Sequence, residues 1–398
     1  MVMVTNWIRV IASAMAVTTS CIAAGSVFAA VPSFSPIGFL TGGSITQSYS
    51  GHISDDGTVI TGQSFDGASK AFHWSTTSSM VDIGFTGFGR GVSADGSVIV
   101  GENGTPEAIR WTQGTGAVGI GFIPGKSGNA KSIGADVSDD GSVVVGQGGQ
   151  NNIQEREAFR WTQAGGMVGL GSLAAGVDFD SVGEGVSADG SVVVGYSNSS
   201  AVNGGFEAFR WTQAGGMVGL GVVNTAIGTA RSRGFGVSDD GNVVVGSSRE
   251  NPGPSEQPSR WTSATGMVLI DTLGLNEGRA LDANGDGSVV VGRMGGGNGQ
   301  AFIWDTINGT RNLQDVLISD GLGAELTDWT LWSATSVTDT AEGLVLLGYG
   351  GGPNTTSNDR PESFRVVMSP IPEPASVVLM GLGGLMMMFL CLSRRRQA

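Results

Sequence analysis

The chain has 398 residues, of which 40% are hydrophobic and 14% are charged, with 68 glycines and a formal net charge of −14 at pH 7. This apolar fraction can bury a core, which excludes a disordered chain, and the glycines follow no Gly-X-Y period, which excludes collagen. The acidic balance argues against nucleic acid and anionic membrane surfaces as partners.

The first thirty residues have the pattern of a secretory signal peptide. One basic residue, Arg9, is followed by an uncharged apolar stretch over residues 10–24 and by small residues up to Ala29 and Ala30. This order predicts export, with residues 1–29 removed by cleavage after Ala29. A lipoprotein cleaved at Cys21 is the alternative, although Thr18 stands where a larger aliphatic residue is expected.

The body of the chain, residues 30–370, contains seven versions of one unit. The segment EAFRWTQAGGMVGLG occurs unchanged at 157–171 and at 207–221. Units 1 to 7 are numbered by their central turns, which are SDDG at 54–57, SADG at 93–96, SDDG at 138–141, SADG at 187–190, SDDG at 238–241, NGDG at 284–287 and TAEG at 340–343. A period of about 40 to 50 residues is typical of β-propellers.

Four short segments recur in each unit and predict four strands. They are β-branched and aromatic runs separated by Gly, Asp and Ser, and Asp-Gly between two such runs indicates a hairpin. Sheets that are apolar on both faces need a neighbour on each side, so we predict an all-β fold, a seven-bladed β-propeller of four-stranded antiparallel blades. A six- or eight-bladed propeller and a β-solenoid are the alternatives.

The two ends of the body are predicted to meet in the last blade. Unit 7 ends in SFRVVM without a fourth strand, while the segment SFSPIGFLTGG at 33–43 resembles a fourth strand without a blade of its own. We therefore expect residues 34–40 to complete the last blade and to close the ring.

The last segment of the chain predicts a transmembrane helix. No charged residue occurs from 375 to 393, and Arg394, Arg395 and Arg396 follow directly. About 20 apolar residues cross the bilayer core, and an arginine cluster marks the cytoplasmic end.

The C-terminal segment resembles a known sorting signal. Pro372, Glu373 and Pro374, the Gly-interrupted apolar span and the terminal arginines resemble, in this order, the PEP-CTERM sorting signal of Gram-negative bacteria over residues 371–398. The resemblance implies processing by exosortase, a membrane transpeptidase, and a final place at the cell surface or in an exopolysaccharide or biofilm matrix. Before processing, the helix would hold the protein in the inner membrane. An ordinary single-pass anchor is the alternative.

The repeat units resemble the HAF repeat family of extracellular bacterial proteins. The resemblance covers nearly the whole body, including the ending LTDWTLWSATSVTDTAEGLVLLGYG at 326–350. The tripeptide itself is KAF, EAF or QAF here and never His-Ala-Phe, so no role of that histidine is carried over.

Loop lengths point to one face of the predicted propeller. The connections between second and third strands, and those between units, vary widely, and all lie at the same end of the blades, here named the variable-loop face. Because function commonly resides in such loops, we expect a non-catalytic surface or matrix protein that binds polysaccharide or another protein through this face. Neutral sequence drift in loops that tolerate change is the alternative explanation of this variation in loop length. A secreted propeller glycosidase or polysaccharide lyase with channel acids is the alternative.

Few residues indicate a specific chemistry. Both cysteines, Cys21 and Cys391, lie in the end segments, and no catalytic motif is present, so no catalytic residue is predicted. Asp282, Asn284 and Asp286 match the start of a calcium loop, but Arg293 stands where its last ligand, a glutamate, would be. Calcium is thus a candidate cofactor, with an ordinary turn as the alternative.

Two further groups of residues carry expectations. Trp329 and Trp332 lie outside the repeated tryptophan position and are candidates for stacking on sugar rings, with core packing as the alternative. The arginines that recur in the third strands are expected to be structural and to pair with turn aspartates; they are Arg110, Arg160, Arg210 and Arg260.

Overall fold

The protein is described by a computed structural model that covers residues 31–40, 47–104, 107–126, 130–149, 156–174, 180–202, 205–223, 230–249, 255–353 and 360–369. The predicted signal peptide and the sorting segment with its Pro372, Glu373, Pro374 and terminal arginines lie outside these residues. Within them, no helix has the length and apolar character needed to cross a bilayer.

The described residues form an all-β fold in which every sheet is antiparallel and each repeat unit supplies its own strands. Units 1 and 2 contain β2 (Gln47–Ile53), β3 (Val59–Phe65), β4 (Ser69–Ser75), β5 (Ser78–Val92), β6 (Val98–Asn103), β7 (Ala108–Thr112) and β8 (Gly116–Gly119). Units 3 and 4 contain β9 (Lys131–Val137), β10 (Val143–Gly149), β11 (Glu157–Thr162), β12 (Gly166–Gly169), β13 (Ser181–Val186), β14 (Val192–Asn198), β15 (Phe206–Thr212) and β16 (Gly216–Gly219).

The remaining strands belong to units 5 to 7, and the last sheet also includes the first strand of the chain. Units 5 and 6 contain β17 (Arg231–Val237), β18 (Val243–Arg249), β19 (Gln257–Thr262), β20 (Gly266–Leu269), β21 (Gly278–Ala283), β22 (Val289–Met294), β23 (Gln300–Asp305) and β24 (Gly309–Asn312). The last sheet contains β25 (Thr330–Thr340), β26 (Gly343–Gly351), β27 (Glu362–Met368) and β1 (Ser33–Pro36).

The structure has six hydrogen-bonded sheets, not the seven separate sheets predicted. The difference arises at β5, which pairs with β4 through residues 78–86 and with β6 through residues 87–92. Units 1 and 2 therefore share one seven-stranded sheet, while the other five sheets have four strands each. The sequence does not signal that the connection between units 1 and 2 is one extended strand.

The N-terminal strand completes the last sheet, as predicted. β1 lies antiparallel to β27 with Phe34 opposite Val366, and the strand order is β1-β27-β26-β25. The strand is shorter than the predicted 34–40, although Ile37 and Leu40 beyond it are buried.

The sheets are buried on both faces. In β10, Val143, Val144 and Val145 are at most 3% exposed, although successive strand residues point to opposite faces. Val144 packs in a cluster with Trp161, whereas Val145 packs on the opposite side with Phe209 of unit 4. Each sheet is thus covered by both neighbours, and this burial supplies most of its stability.

The repeated turn between the first two strands is stabilised by its own side chains. In unit 3, Ser138 Oγ accepts a hydrogen bond from Val143 N at 3.0 Å and donates one to Asp140 Oδ1 at 2.8 Å. Gly141 has a φ of +68°, which favours glycine. The serine and the aspartate directly before the glycine are therefore structural.

Successive turns are joined by hydrogen bonds around a central channel. Backbone bonds run from Asp56 N to Ala94 O, Ala94 N to Asp139 O, Asp139 N to Ala188 O, Ala188 N to Asp239 O and Asp239 N to Gly285 O. Asn284 Nδ2 then donates to Asp339 Oδ2, and Thr338 Oγ1 donates to Asp55 O, which leads back to unit 1. Residues of all seven units line the narrow cavity that these turns surround.

Unit 7 also packs against the main helical segment of the described residues. Helix α1 (Leu313–Leu317) continues into a π-helical turn (Ile318–Leu322), and Asn312 caps the helix by accepting from Gln314 N and Asp315 N. A short 3-10 turn (Ser200–Val202) lies between β14 and β15. The helix joins Phe34 in the core between units 6 and 7.

Candidate functional site

A basic pocket of about 300 Å³ opens at the variable-loop face of units 5 and 6. Arg231 and Arg249 enter it from the outer ends of β17 and β18, and Arg279 and Arg293 enter it from β21 and β22. Two carboxylates, from Glu256 and Glu277, share the lining. The pocket therefore has a formal charge of +2 in a chain whose net charge is −14.

Strand pairing brings these arginines together in like-charged pairs. Arg231 lies directly opposite Arg249, and Arg279 lies directly opposite Arg293. Like charges at such positions destabilise a sheet. In addition, Arg231 Nε is buried and has no hydrogen-bond partner among the residues that the structure describes. A costly arrangement repeated in adjacent units is typical of a binding site.

Glu256 and aromatic rings hold two of the nearby guanidinium groups in place. Glu256 lies 3.5 Å from Arg233 Nη1 and 3.4 Å from Arg279 Nε. Arg233 also stacks over Tyr196 at 5.0 Å, and Arg279 lies 5.8 Å from the centre of the Phe235 ring. Planar guanidinium groups fixed in this way lose little freedom when they bind a carboxylate or sulfate.

The basic region extends into the channel around Glu184. This residue lies at the bulge of β13, between Gly183 and Gly185, where a strand can turn a side chain inwards. Burial raises the pKa of Glu184, while the neighbouring guanidiniums of Arg90 and Arg233 act in the opposite direction. The environment of Glu184 therefore favours its neutral form, although four guanidinium groups lie near it.

The opposite end of the channel is acidic and narrow. The cavity among the turns has about 70 Å³ and is lined by Asp55, Asp136, Asp139, Asp239 and Asp282. This volume accommodates only a few water molecules. Asp136 accepts from Val186 N and Asp282 accepts from Val337 N, so both carboxylates tie one unit to the next.

Two of the acids at this mouth form a pair. Burial raises the pKa of Asp55 to about 7, and the charges of Asp139 and Asp239 and a hydrogen bond to Asp139 add to the shift. Burial also raises the pKa of Asp139. Two carboxyl groups in hydrogen-bond contact share a proton, because both cannot remain ionised at such a distance.

The paired acids make stability depend on pH. The pKa of Asp55 is raised on folding, so Asp55 contributes to the free energy of unfolding. This contribution is complete below the ordinary aspartate pKa of about 4 and is lost as the pH rises through about 7. We expect Asp55→Asn to be more stable than the wild type above pH 7, by about 1 kcal/mol and not more, because Asp55 lies at the mouth of the cavity, where it loses part of its hydration but still contacts solvent that screens its charge.

Urea unfolding of both proteins at several pH values measures this difference. Asp139→Asn should behave similarly, and the double variant should gain less than the sum of the single variants. If the difference in free energy of unfolding between the wild type and Asp55→Asn does not change with pH, the two carboxyl groups do not share a proton.

The predicted calcium residues serve three different purposes and do not converge. Asp282 accepts from Ser336 Oγ and Val337 N, Asn284 Oδ1 accepts from Val289 N, and Asp286 Oδ1 accepts from Ser288 N. Within the part of the chain that the structure describes, no three His, Cys, Asp or Glu side chains come together as a metal site. The geometry supports an ordinary turn.

The predicted sugar-stacking residues are core residues. Trp329 and Trp332 are 5% and 6% exposed, and the ring of Trp329 packs edge-on against Phe34 at 5.0 Å. These rings are therefore not available for stacking on a sugar, because the N-terminal strand and the rest of unit 7 cover them.

The third-strand arginines are structural, but their acceptors differ from those predicted. They donate to the carbonyl of the turn glycine in the following unit, not to the turn aspartates. The bonds are Arg110 to Gly141, Arg160 to Gly190, Arg210 to Gly241, Arg260 to Gly287 and Arg365 to Gly57.

The sequence does carry a signal for the basic pocket, which our interpretation of the repeats missed. Arginines occur at the outer ends of the first two strands only in units 5 and 6, in RSRGF, VGSSRE, EGRAL and VGRMG. A comparison of the units position by position would have singled them out.

No protein-family model matches this chain, and no curated protein is detectably similar in sequence. Solved structures are similar in fold. Oligogalacturonate lyase in complex with manganese is 13% identical, with a TM-score of 0.51 over 82% of this chain and 90% of that one. The likeness shows the fold alone.

Two further solved structures are similar. The oligogalacturonate lyase of Vibrio parahaemolyticus is 12% identical, with a TM-score of 0.50 over 86% of this chain and 98% of that one. TolB from Acinetobacter baumannii is 16% identical at a TM-score of 0.43, and the match spans only 64% of this chain and 62% of that one. Together with the four-stranded sheets, the two lyase structures support a β-propeller architecture.

Proposed function

We propose that this chain is an exported surface or matrix protein that binds acidic polysaccharide in the basic pocket of units 5 and 6, without turnover. The proposal rests on two cross-strand pairs of arginines that line one open pocket. They are Arg231 with Arg249 and Arg279 with Arg293. Uronate carboxylates and sulfate esters are flat or compact anions that arginine binds through two parallel hydrogen bonds.

The proposed scaffold is a seven-bladed propeller. Residues 78–86 and 87–92 of β5 act as the outer strand of blade 1 and the inner strand of blade 2. The circuit of turn contacts, which returns from Thr338 to Asp55, supports a closed ring of seven. This arrangement places the basic pocket and the acidic mouth at opposite ends of the channel.

Export and sorting are part of the same proposal. The signal-peptide pattern at 1–29 and the PEP-CTERM-like tail at 371–398 support passage across the inner membrane, anchoring by the tail and processing by an exosortase. A protein at the cell surface or in the matrix would encounter acidic exopolysaccharide or the surface of another protein. Its overall acidity argues against nucleic acid.

Loss of one pocket arginine is expected to weaken binding at least about tenfold, since a charge-assisted hydrogen bond contributes about 1.5 to 3 kcal/mol. Arg279→Ala and Arg231→Ala should both show this loss with polygalacturonate, measured by titration calorimetry at low salt. Lys70→Ala, which removes a cation paired with Asp66 on unit 1, is the matched control and should bind as the wild type does. Equal affinity in all four proteins would overturn the proposal.

Turnover of the same polymer is the second candidate. A lyase must neutralise a uronate carboxylate, which the arginine pairs are suited to do, and two structures of similar fold are named oligogalacturonate lyase. Rising ultraviolet absorbance from unsaturated uronate ends on incubation with polygalacturonate would favour it. A glycosidase at the acidic mouth is less well supported, because Asp55 and Asp139 are in contact and leave no room for a sugar between them.

A further inference from the structure

The contact between units 1 and 2 differs from most other contacts between units. In units 2 to 5 and in unit 7 a third-strand arginine reaches the turn carbonyl of the next unit, as Arg160 does with Gly190 at 3.1 Å, whereas unit 6 has the buried Ile303 at this position. In unit 1 this position is His73, which lies opposite Val81 just as Arg160 lies opposite Val168. The shorter imidazole leaves the space beside the turn of unit 2 open.

A second difference lies beside the same space. In units 3 to 5 a methionine lies opposite the repeated tryptophan, as Met167 does with Trp161, whereas in unit 2 the residue opposite Trp111 is the exposed Ala117. Trp111 is partly buried, and its ring lies 5.9 Å from that of His73.

A cavity of about 890 Å³ opens at this contact and is here named the seam pocket. This volume lies in the range of small-molecule sites, about 300 to 1,000 Å³. Its lining combines apolar Val81 and Ile83 with the rings of His73 and Trp111. A cavity of this size and lining can hold a small-molecule ligand.

Polar groups complete the seam pocket. Asp82 and Asp140 lie in the lining, where Asp82 Oδ2 is 3.2 Å from Lys70 Nζ and Asp140 Oδ1 accepts from Ser138 Oγ and Ser142 N, which leaves Asp140 Oδ2 for a ligand. Gln113 presents an amide, and Arg110 uses Nε and Nη2 for the Gly141 carbonyl, which leaves Nη1 for another acceptor. Aromatic rings flanked by planar hydrogen-bonding groups suit a ligand with apolar faces and an edge of hydroxyls. Two carboxylates disfavour an anionic ligand.

We propose that the seam pocket binds a short segment of neutral saccharide, with a pyranose ring against Trp111 and hydroxyls on Asp82 and Asp140. The seam pocket lies at the turn end of units 1 and 2, away from the basic pocket at the variable-loop face of units 5 and 6. The protein would thus hold neutral and acidic sugar units at separate places.

Saturation-transfer NMR and calorimetry with cellotriose, maltotriose and mannotriose test the proposal. We expect millimolar or tighter binding of at least one of them, and at least a tenfold weaker affinity in Trp111→Ala. Because that variant removes a ring from the core, the decisive variant only adds atoms: His73→Arg/Ala117→Met introduces the residues found in units 3 to 5. It should lose binding and melt at a higher temperature than the wild type.

Val118→Met is the matched control, since it adds the same side chain at a neighbouring, 49% exposed position that points to the opposite face. It should retain binding. Arg279→Ala should also retain it, so the seam pocket and the basic pocket can fail independently. No binding of any trisaccharide by the wild type, or undiminished binding by His73→Arg/Ala117→Met, would overturn the proposal.

Discussion

Removal of residues 31–40 is expected to lower the melting temperature by at least about 5 °C or to prevent folding. The segment pairs with β27, and Ile37 N donates to Ser363 O at 2.9 Å. Phe34 packs against Trp329 at 5.0 Å and Phe364 at 5.4 Å. Truncating a buried phenylalanine alone costs about 3 to 5 kcal/mol, and the deletion also exposes the edge of the last sheet.

Thermal unfolding followed by circular dichroism measures this effect on the exported body of the protein. Removal of residues 31 and 32 alone is the control, because Val31 is 84% exposed and both residues precede β1. A melting curve that is the same with and without residues 31–40 would show that the N-terminal strand does not hold the last sheet together.

The second large effect is expected at Asp282. Its carboxylate is 8% exposed and accepts hydrogen bonds from Ala283 N, Ser336 Oγ and Val337 N, two of them from unit 7. Asp282→Ala leaves these donors buried without an acceptor, and we expect a loss of about 3 kcal/mol in the free energy of unfolding. Asp282→Asn keeps one acceptor oxygen and should lose less.

Urea unfolding compares these variants with Asp286→Ala, whose carboxylate accepts from Ser288 N at an exposed position. Asp286→Ala should be within about 0.5 to 1 kcal/mol of the wild type. If both alanine variants abolished a stabilisation that depends on added calcium, the two residues would be acting as ligands, and the structural role assigned to Asp282 would be wrong.

Local sequence patterns predicted most of the architecture. Each turn depends on contacts among residues at most five apart, such as Ser138 with Asp140 and Val143, so its sequence is sufficient to identify it. The pairing of β1 with β27 spans nearly the whole chain, yet it was predictable because a missing strand at one end matched an extra strand at the other.

The site was harder to predict because it depends on distant residues. In the sequence, Arg231 and Arg249 are ordinary strand-end residues, and only the strand register shows that they lie opposite one another. Arg279 and Arg293 reach the same pocket because unit 6 packs against unit 5. The sequence left Trp329 open between sugar stacking and core packing for the same reason, since its cover comes from the distant Phe34. Asp55 and Asp139 meet only when the turns of units 1 and 3 face one channel.

The continuous strand β5 has a consequence for how the molecule opens. Other neighbouring units have separate sheets and are joined mainly by packing and by single hydrogen bonds between turns, so each can open separately, whereas units 1 and 2 share one continuous hydrogen-bonded sheet. The two should therefore unfold as one cooperative block. In native-state hydrogen exchange, amides on both sides of residue 86 would then open with one common free energy.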